Sequence, residues 1–290
     1  MIKQQNAVRQ TLEWKVSNYD LAATLRSGQS FCWRPQGQTW HGWIHQTPCL
    51  LSQNKEIIRC ESEAGVQASF IEDFLQIHEP IQQIRQSFPE NDPWIQRSID
   101  FCPGIRILKS DPWETTCMFI CSAMKQVRHI EQMNDQLRIQ IGKKWSSNQF
   151  QFPTPQEIAN SDESAIRACG LGFRAPHLLR TARAIHEEEI SLDQIHRLST
   201  TEARIELMKL RGVGEKVANC ILLYAYHRLE VVPIDVWIER ILKRLYLTKR
   251  RKLTRVKLQE FADHHFGPYA GYAQQYLFHW VRMTKGTELP

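Results

Sequence analysis

The segment LRGVGEK, Leu210–Lys216, constrains the fold more than any other part of the sequence. Helical patterns flank it at Glu202–Leu210 and Glu215–Tyr226. The glycines on both sides of Val213 predict a tight hairpin between two helices, with free backbone N–H groups at the start of the second helix. Such a hairpin is either an anion site suited to a DNA phosphate or an αα-hairpin with a glycine turn.

Two ionisable residues follow this hairpin. Lys216 stands in the first turn of the second predicted helix, where the positive end of the helix dipole disfavours a cation. Asp235 comes 19 residues later, after Pro233, at the start of another helical pattern. An Asp in that position is typical of an N-cap. An antiparallel return of the chain would also bring its carboxylate back to the lysine at the mouth of the hairpin.

The chain divides into a sheet-containing part and a helical part. Residues 1–107 contain short runs rich in aromatic and β-branched residues, which predict strands at QSFCWR, TWHGWIH, CLLSQ and EIIRCE. From Asp111, the sequence DPWETTCMFICSAM has a helix-capping Asp, Pro at the first helical position and Glu three residues after the Asp. Helical patterns joined by Gly- or Pro-containing turns fill the rest. We predict an α+β protein with an antiparallel β-sheet domain with helices at 1–107 and a mostly α-helical domain at 108–290.

Charge and cysteine content limit the class of protein. Residues 201–290 hold 16 Lys and Arg against nine Asp and Glu, so the positive charge belongs to the last third of the chain. Its densest run, Lys243–Lys257, is either a solvated helix face or a surface for phosphates. The eight cysteines form no CxxC pair and are interpreted as small buried hydrophobes. No apolar run approaches the roughly 20 residues of a membrane span, and the N-terminus lacks the apolar core of a signal peptide, so we expect an intracellular protein.

The hairpin, Lys216, and Asp235 preceded by Val-Pro-Ile together resemble the base-excision DNA glycosylases of the helix-hairpin-helix superfamily. Five further segments resemble the 8-oxoguanine DNA glycosylase/AP lyase family: SGQSFCWR, ICS, GLGFRA, KVANC and GPYAGYAQQYLF. These matches follow the family order from about Thr11 to Phe278, nearly the whole chain. The resemblance makes the second domain a helix-hairpin-helix glycosylase domain.

The resemblance also implies a reaction. The protein would flip 8-oxoguanine out of double-stranded DNA, excise it through a lysine Schiff base and cleave the strand by β-elimination. Lys216 would attack the sugar C1′, and Asp235 would stabilise the developing positive charge. No metal or organic cofactor is expected. We expect a monomer without a membrane partner, in the cytoplasm with the nucleoid of a prokaryote or in the nucleus of a eukaryote.

The base pocket implied by the resemblance has five members. The backbone carbonyl of Gly28 would accept the N7–H that 8-oxoguanine has and guanine lacks. Gln274 would hydrogen-bond the pairing edge of the base, and Pro233 would line the pocket. Phe278 would stack on one face of the base with Cys220 on the other. From the sequence alone Cys220 is either a core thiol or this pocket wall, whose charge could couple to the lysine.

The remaining implied contacts involve the DNA duplex. Phe173 would wedge into the opened helix, and Arg174 would address the orphaned cytosine. The other predicted DNA-binding residues are Arg211, Gly212, Val213, Gly214, Met124, His129 and Trp237. The resemblance also allows a structural cation at the backbone carbonyls of Met208, Leu210 and Val213, and the sequence leaves open whether one is bound.

The sequence departs from the family at several of these contacts. Met124, Lys125 and Gln126 occupy the positions of an Asn triplet, and His129 the position of an arginine. We therefore predict that excision depends only weakly on the opposite base. Trp237 replaces a phosphate-contacting His, and Val281 replaces the acid that pairs with it. Arg211, where the family has Pro, either contacts a phosphate or faces solvent.

Three other functions are considered. A glycosylase for oxidised pyrimidines usually carries a four-cysteine iron–sulfur cluster near its C-terminus, and no cysteine follows Cys220. An alkylated-base glycosylase generally lacks the lysine nucleophile, so Lys216 argues against it. A non-catalytic or monofunctional damaged-DNA-binding protein could keep the hairpin, and the sequence leaves that alternative open.

Overall fold

The computed structural model describes residues 9–146, 148–247 and 253–287. Its N-terminal part is a five-stranded, fully antiparallel sheet with the strand order β1-β5-β4-β3-β2. Buried and more exposed residues alternate along β5, as expected for a strand with one face on a core. The strands are β1 Arg9–Lys15, β2 Arg34–Gln36, β3 Thr39–Ile44, β4 Thr47–Asn54 and β5 Ile57–Glu63.

Three of the four predicted strands are confirmed, and the prediction for QSFCWR is wrong. That segment is a loop up to Arg34 because the Gln29 side chain holds it against another part of the chain. Gln29 Nε2 donates to the Arg106 carbonyl at 2.7 Å, and its Oε1 accepts from the Leu108 amide at 2.7 Å. Strand β1 was not predicted, because it is a sheet edge on which Trp14 alone is buried and the apolar alternation is weak.

Helices make up most of the rest of the chain. The predicted start at Asp111 is confirmed: its side chain accepts from the Glu114 amide at 2.7 Å, and Pro112 opens the helix. A short two-stranded ribbon pairs β6 Lys144–Ser146 with β7 Gln149–Phe150. The helices are α1 Leu21–Arg26, α2 Ala68–Leu75, α3 Ile81–Gln86, α4 Pro93–Phe101, α5 Pro112–Cys121, α6 Val127–Gln140, α7 Pro155–Ala159, α8 Glu163–Ile166, α9 Ala175–His186, α10 Thr200–Leu207, α11 Glu215–Tyr224, α12 Val236–Leu245, α13 Arg255–Phe266 and α14 Ala270–Met283.

Two hydrophobic cores hold these elements, and both confirm the α+β class. The first lies between the sheet and helices α1 and α2, and Leu108 also packs into it. The second fills the helical part and includes Ile84 of α3 and Ile95 of α4. Trp94 of α4 stacks on Trp280 of α14 with ring centroids 6.5 Å apart. Helices α3 and α4 thus pack with the helical part although they precede residue 107, and the boundary at 107 stays a prediction from sequence.

The structure describes both ends of the basic segment and most of the chain in which a membrane span could lie. The basic segment Lys243–Lys257 contributes to α12 and α13 at its ends, while residues 248–252 lie outside the described residues. Within the described ranges, no helix has the length and apolar character needed to cross a membrane.

Candidate active site

The hairpin between α10 and α11 is formed as the glycine spacing predicts. Gly212 adopts φ +87°, a left-handed conformation, and a Cβ there would lie 2.9 Å from the Cβ of His177. Both facts require glycine at this position. The Val213 amide donates to the Leu210 carbonyl at 3.1 Å, and Thr181 Oγ1 donates to the Arg211 carbonyl at 2.8 Å, so the turn is fixed to α9.

The hairpin leaves its backbone groups open to a ligand. Helix α11 begins at Glu215 after Gly214, which supplies no capping side chain. The N–H groups of the first helical turn therefore have no capping side chain and lie at the positive end of the helix dipole, the arrangement that binds phosphate. A cation at the carbonyls of Met208, Leu210 and Val213 stays a prediction. The Leu210 carbonyl already accepts one hydrogen bond and keeps one lone pair for a ligand.

Lys216 is the second residue of α11 and is half-buried. Its Nζ donates to the Ser122 hydroxyl at 3.2 Å, at the C-terminal end of α5. The same nitrogen lies 5.2 Å from the centroid of the Phe119 ring, a cation–π distance. The amine is thus held at the start of α11 by two residues of α5.

Asp235 caps helix α12, as the sequence predicts. Its Oδ1 accepts from the amides of Trp237 at 2.9 Å and Ile238 at 2.8 Å. Oδ2 accepts no hydrogen bond from another described residue. The cap therefore fixes the carboxylate while leaving one oxygen available to a positively charged partner.

Cys220 lies one helical turn after Lys216 on α11. Burial raises the pKa of the Cys220 thiol to about 11; the charge and hydrogen bond of Lys216 lower it, and the charge of Asp235 raises it. At neutral pH Cys220 is therefore an uncharged thiol and does not pair with the lysine as a thiolate.

The other predicted pocket residues come from both ends of the chain. Gly28 lies in the loop after α1 with φ +85°, and a Cβ there would lie 3.5 Å from Cε1 of Phe278 on α14. Gln274, one turn before Phe278, has its side-chain oxygen 3.4 Å from the Tyr224 hydroxyl, which donates its proton to Gln275 at 2.7 Å. Tyr224 lies one turn after Cys220 on α11, and Pro233 is buried just before Asp235. The structure thus brings Gly28, Phe278, Gln274 and the Cys220 helix together.

A small cleft adjoins Lys216 on the side of α13. The sequence places Arg255 of this cleft only within the basic run Lys243–Lys257, and Gln259 belongs to no motif. The lining residues are Glu215, Lys216, Asn219, Ile234, Arg255 and Gln259. Arg255 adds a positive charge beside the lysine.

The predicted wedge and its neighbour differ in exposure. The Phe173 side chain is 57% exposed, whereas Arg174 is buried. Arg174 Nε donates to the Ala123 carbonyl at 3.1 Å and Nη1 to the Leu171 carbonyl at 3.3 Å. Its Cζ lies 4.2 Å from the centroid of the Phe173 ring. Arg174 thus packs against the Phe173 ring, and the predicted contact with cytosine would require its guanidinium to give up these carbonyls.

Other predicted DNA contacts lie on the surface. Met124 is 93% exposed and has φ +56°, at the turn between α5 and α6, and His129 is exposed in the first turn of α6. Arg211 is also exposed. Trp237 is exposed beside Asp235, and Arg240, one turn later on α12, places its Cζ 5.2 Å from the indole. Arg240 was not predicted, although its spacing from Trp237 could have indicated it.

The described part of the chain has no cluster of three or more His, Cys, Asp and Glu side chains that could hold a metal ion. Its eight cysteines are all buried and unpaired, which agrees with their interpretation as small core residues.

Comparisons with known proteins agree with this geometry. The family model described as 8-oxoguanine DNA glycosylase, N-terminal domain, matches residues 11–116, and the model of the HhH-GPD superfamily base excision DNA repair protein matches residues 117–264. A probable N-glycosylase/DNA lyase of Methanothermobacter thermautotrophicus is 28% identical over 93% of this chain and 95% of its own.

Two solved structures have the same fold over nearly the full length. The structure of MBOgg1 in complex with a low-affinity DNA ligand is 31% identical, with a TM-score of 0.89 over 95% of this chain and 96% of that one. The Clostridium acetobutylicum 8-oxoguanine glycosylase/lyase, in complex with double-stranded DNA containing cytosine opposite 8-oxoG, is 27% identical. Its TM-score is 0.87 over 95% of this chain and 98% of that one.

Proposed function

The chain belongs to the 8-oxoguanine DNA glycosylase/lyase family of the HhH-GPD superfamily of base excision DNA repair proteins, and we propose that Lys216 is its nucleophile. It is a bifunctional DNA glycosylase and AP lyase whose partner is double-stranded DNA containing 8-oxoguanine. A single active monomer and its cellular compartment stay predictions from sequence.

The glycosylase step exchanges one bond at the sugar for another. The neutral amine of Lys216 attacks C1′, and the bond from C1′ to N9 of the base breaks. The base leaves with the electron pair and takes up a proton. Positive charge develops on the sugar as the base departs, and the free Oδ2 of Asp235 is placed to stabilise it.

The lyase step follows from the covalent intermediate. Loss of the amine proton and opening of the sugar ring give a Schiff base between Nζ and C1′. The iminium makes the C2′ proton acidic, so that proton leaves and the bond from C3′ to the phosphate oxygen breaks. An amine and a carboxylate are sufficient for this chemistry.

One observation carries the proposal: the Lys216 amine is held by Ser122 in the first turn of α11, and the cleft that it lines also contains Ile234, the residue before the α12 cap Asp235. The neutral amine is the form of a lysine that reacts as a nucleophile. Cys220, with Phe278, Gln274 and Gly28, would receive the flipped base.

The residues predicted to face the opposite base support a relaxed opposite-base preference. Arg174 makes its hydrogen bonds within the protein, and the exposed side chains at positions 124–126 and 129 are not the Asn triplet and Arg of the family. Few polar groups of fixed geometry would therefore face an opposite cytosine. The hairpin amides, Arg211 and the Trp237–Arg240 pair would hold the phosphates, without reading sequence.

Borohydride trapping tests the proposal. The protein is mixed with a duplex carrying one 8-oxoguanine opposite cytosine, and the Schiff base is reduced to a stable adduct. Lys216→Gln should abolish the adduct, whereas the matched control Lys209→Gln should keep it, because Lys209 is paired with Glu206 on the surface. An adduct that persists in Lys216→Gln would move the nucleophile elsewhere. Binding without adduct or base release in the wild type would favour the non-catalytic alternative.

A further inference from the structure

One face of helix α14 carries three residues at intervals of four: Gln274, Phe278 and Arg282. Residues at this spacing lie in a row along a helix. Gln274 and Phe278 already belong to the proposed base pocket. Gln275, beside Gln274, donates to the Ser27 carbonyl at 3.4 Å, so this part of α14 packs against the loop that contains Gly28.

The Arg282 guanidinium lies at the end of this row, against Gly28. A Cβ on Gly28 would lie 2.8 Å from Arg282 Nη1 and 3.5 Å from Phe278 Cε1. The Arg282 Cζ lies 5.9 Å from the centroid of the Phe278 ring. The guanidinium therefore packs against both the Gly28 backbone and the Phe278 ring.

Nη1 of Arg282 is buried and has no hydrogen-bond partner among the described residues. Nη2 donates to the Arg26 carbonyl, which fixes the direction of the group. Burial lowers the pKa of Arg282, and the charge of the half-buried Glu131 opposes that change. A buried N–H of a charged group without an acceptor is costly, so its retention indicates an acceptor that arrives with a ligand.

We propose that Arg282 determines specificity by donating a guanidinium hydrogen bond to the C8 carbonyl oxygen of the flipped base. The inference rests on the proposed function, in which Gly28 accepts the N7–H. O8 is bonded to C8, the neighbour of N7, so a donor beside Gly28 complements the paired N7–H and O8 of the lesion. Guanine presents a lone pair at N7 and a C–H at C8 and would leave this donor–acceptor pair unmatched.

The test changes one atom of the lesion. Single-turnover excision is measured on duplexes with 8-oxoguanine or 8-thioguanine, which keeps N7–H and replaces O8 by a poor acceptor. Arg282→Met should slow excision of 8-oxoguanine by about tenfold, the typical worth of one hydrogen bond to a charged group, and should slow excision of 8-thioguanine by much less. Arg282→Lys, which keeps a charged donor, should retain part of the preference for oxygen. Arg59→Met, in an exposed pair with Glu13 on the sheet, is the control.

Equal losses on both substrates would overturn the inference, and so would faster excision of guanine by the wild type than by Arg282→Met. If Arg282→Met fails to fold, the same comparison is made with Arg282→Lys. Its preference for 8-oxoguanine over 8-thioguanine should be smaller than that of the Arg59→Met control, and an equal preference would overturn the inference. The two proposals fail in different experiments. The proposed function fails if wild-type protein traps no adduct on 8-oxoguanine. The Arg282 inference fails only in the comparison of excision rates between the variants.

Discussion

The Lys216 amine donates to the Ser122 hydroxyl across 3.2 Å, joining the first turn of α11 to the end of α5. The same hydroxyl lies 2.7 Å from the Phe119 carbonyl and donates its proton there. Since that proton is already committed, Ser122 can only accept from Lys216. The serine thus holds the proposed nucleophile in one direction and takes no proton from it.

Removing this acceptor should affect the rate of chemistry more than DNA binding. For Ser122→Ala we expect single-turnover excision of 8-oxoguanine to fall by about tenfold, because the amine loses one orienting hydrogen bond. The affinity for lesion DNA should change little, since Ser122 faces the lysine. Ser122→Thr, which keeps the hydroxyl, should restore most of the rate. An equal loss of rate and affinity would show that the serine acts on the fold of the α5 end.

The exposed Phe173 ring should matter in proportion to the cost of opening the duplex. Phe173→Ala is expected to slow excision opposite cytosine by about 10–100-fold, because a wedge offsets a flipping cost of a few kcal/mol. Opposite an abasic site no base pair has to be broken, so the loss there should be a few-fold. The control is Ile139→Ala, because Ile139 is also apolar and exposed but lies on α6, away from Phe173 in the sequence. A loss of the same size on both duplexes would exclude a wedging role.

Local signals explain which parts of the site could be predicted. Glycine hairpins and Asp caps act within a few residues, so the sequence places Lys216 and Asp235 at helix starts, where the structure has them. Strands β3 to β5 carry the alternation that a half-buried sheet requires. The QSFCWR segment has a similar composition. Its Gln29 side chain, however, hydrogen-bonds the backbone of Arg106 and Leu108, which are 77 and 79 residues away, and the segment forms no strand pairing before Arg34.

Long-range packing explains what could not be predicted. Ser122 meets Lys216 from 94 residues away, and nothing in its neighbourhood in the sequence indicates that contact. The sequence predicts that Arg174 contacts DNA, yet the residue is buried and its guanidinium donates to the Ala123 carbonyl. The family motif ends at Phe278, so Arg282 falls just outside it. In each case the partner is chosen by tertiary packing.

The surface around Met124 leads to a prediction about the opposite base. Excision of 8-oxoguanine opposite cytosine and opposite adenine should proceed at similar rates, because the exposed Met124 and His129 offer little that distinguishes the two bases. Introducing Met124→Asn with His129→Arg should slow excision opposite adenine relative to cytosine. The measurement is single-turnover excision opposite all four bases. A strong preference of the wild type for cytosine would contradict the prediction and assign discrimination to Arg174.

The buried His279 should make the protein sensitive to mild acid. Burial, followed by the charge of Arg282, lowers the pKa of His279 to about 4, against the opposing charge of Asp20. Its Nδ1 has no hydrogen-bond partner among the described residues, so no acceptor compensates a proton there. The unfolded chain binds that proton near pH 6.5, whereas the folded protein binds it only near pH 4.

Stability linked to His279 is therefore complete above about pH 6.5 and falls as the pH drops towards 4. At pH 5 the loss in the free energy of unfolding should reach at most about 2 kcal/mol. Urea unfolding at pH 7 and pH 5 measures it in wild type and in His279→Phe, which fills the site without titrating. The variant should lose less stability between the two pH values, while His41→Phe, on the exposed face of β3, should follow the wild type. If His279→Phe and wild type fall in parallel, another group is responsible for the acid sensitivity.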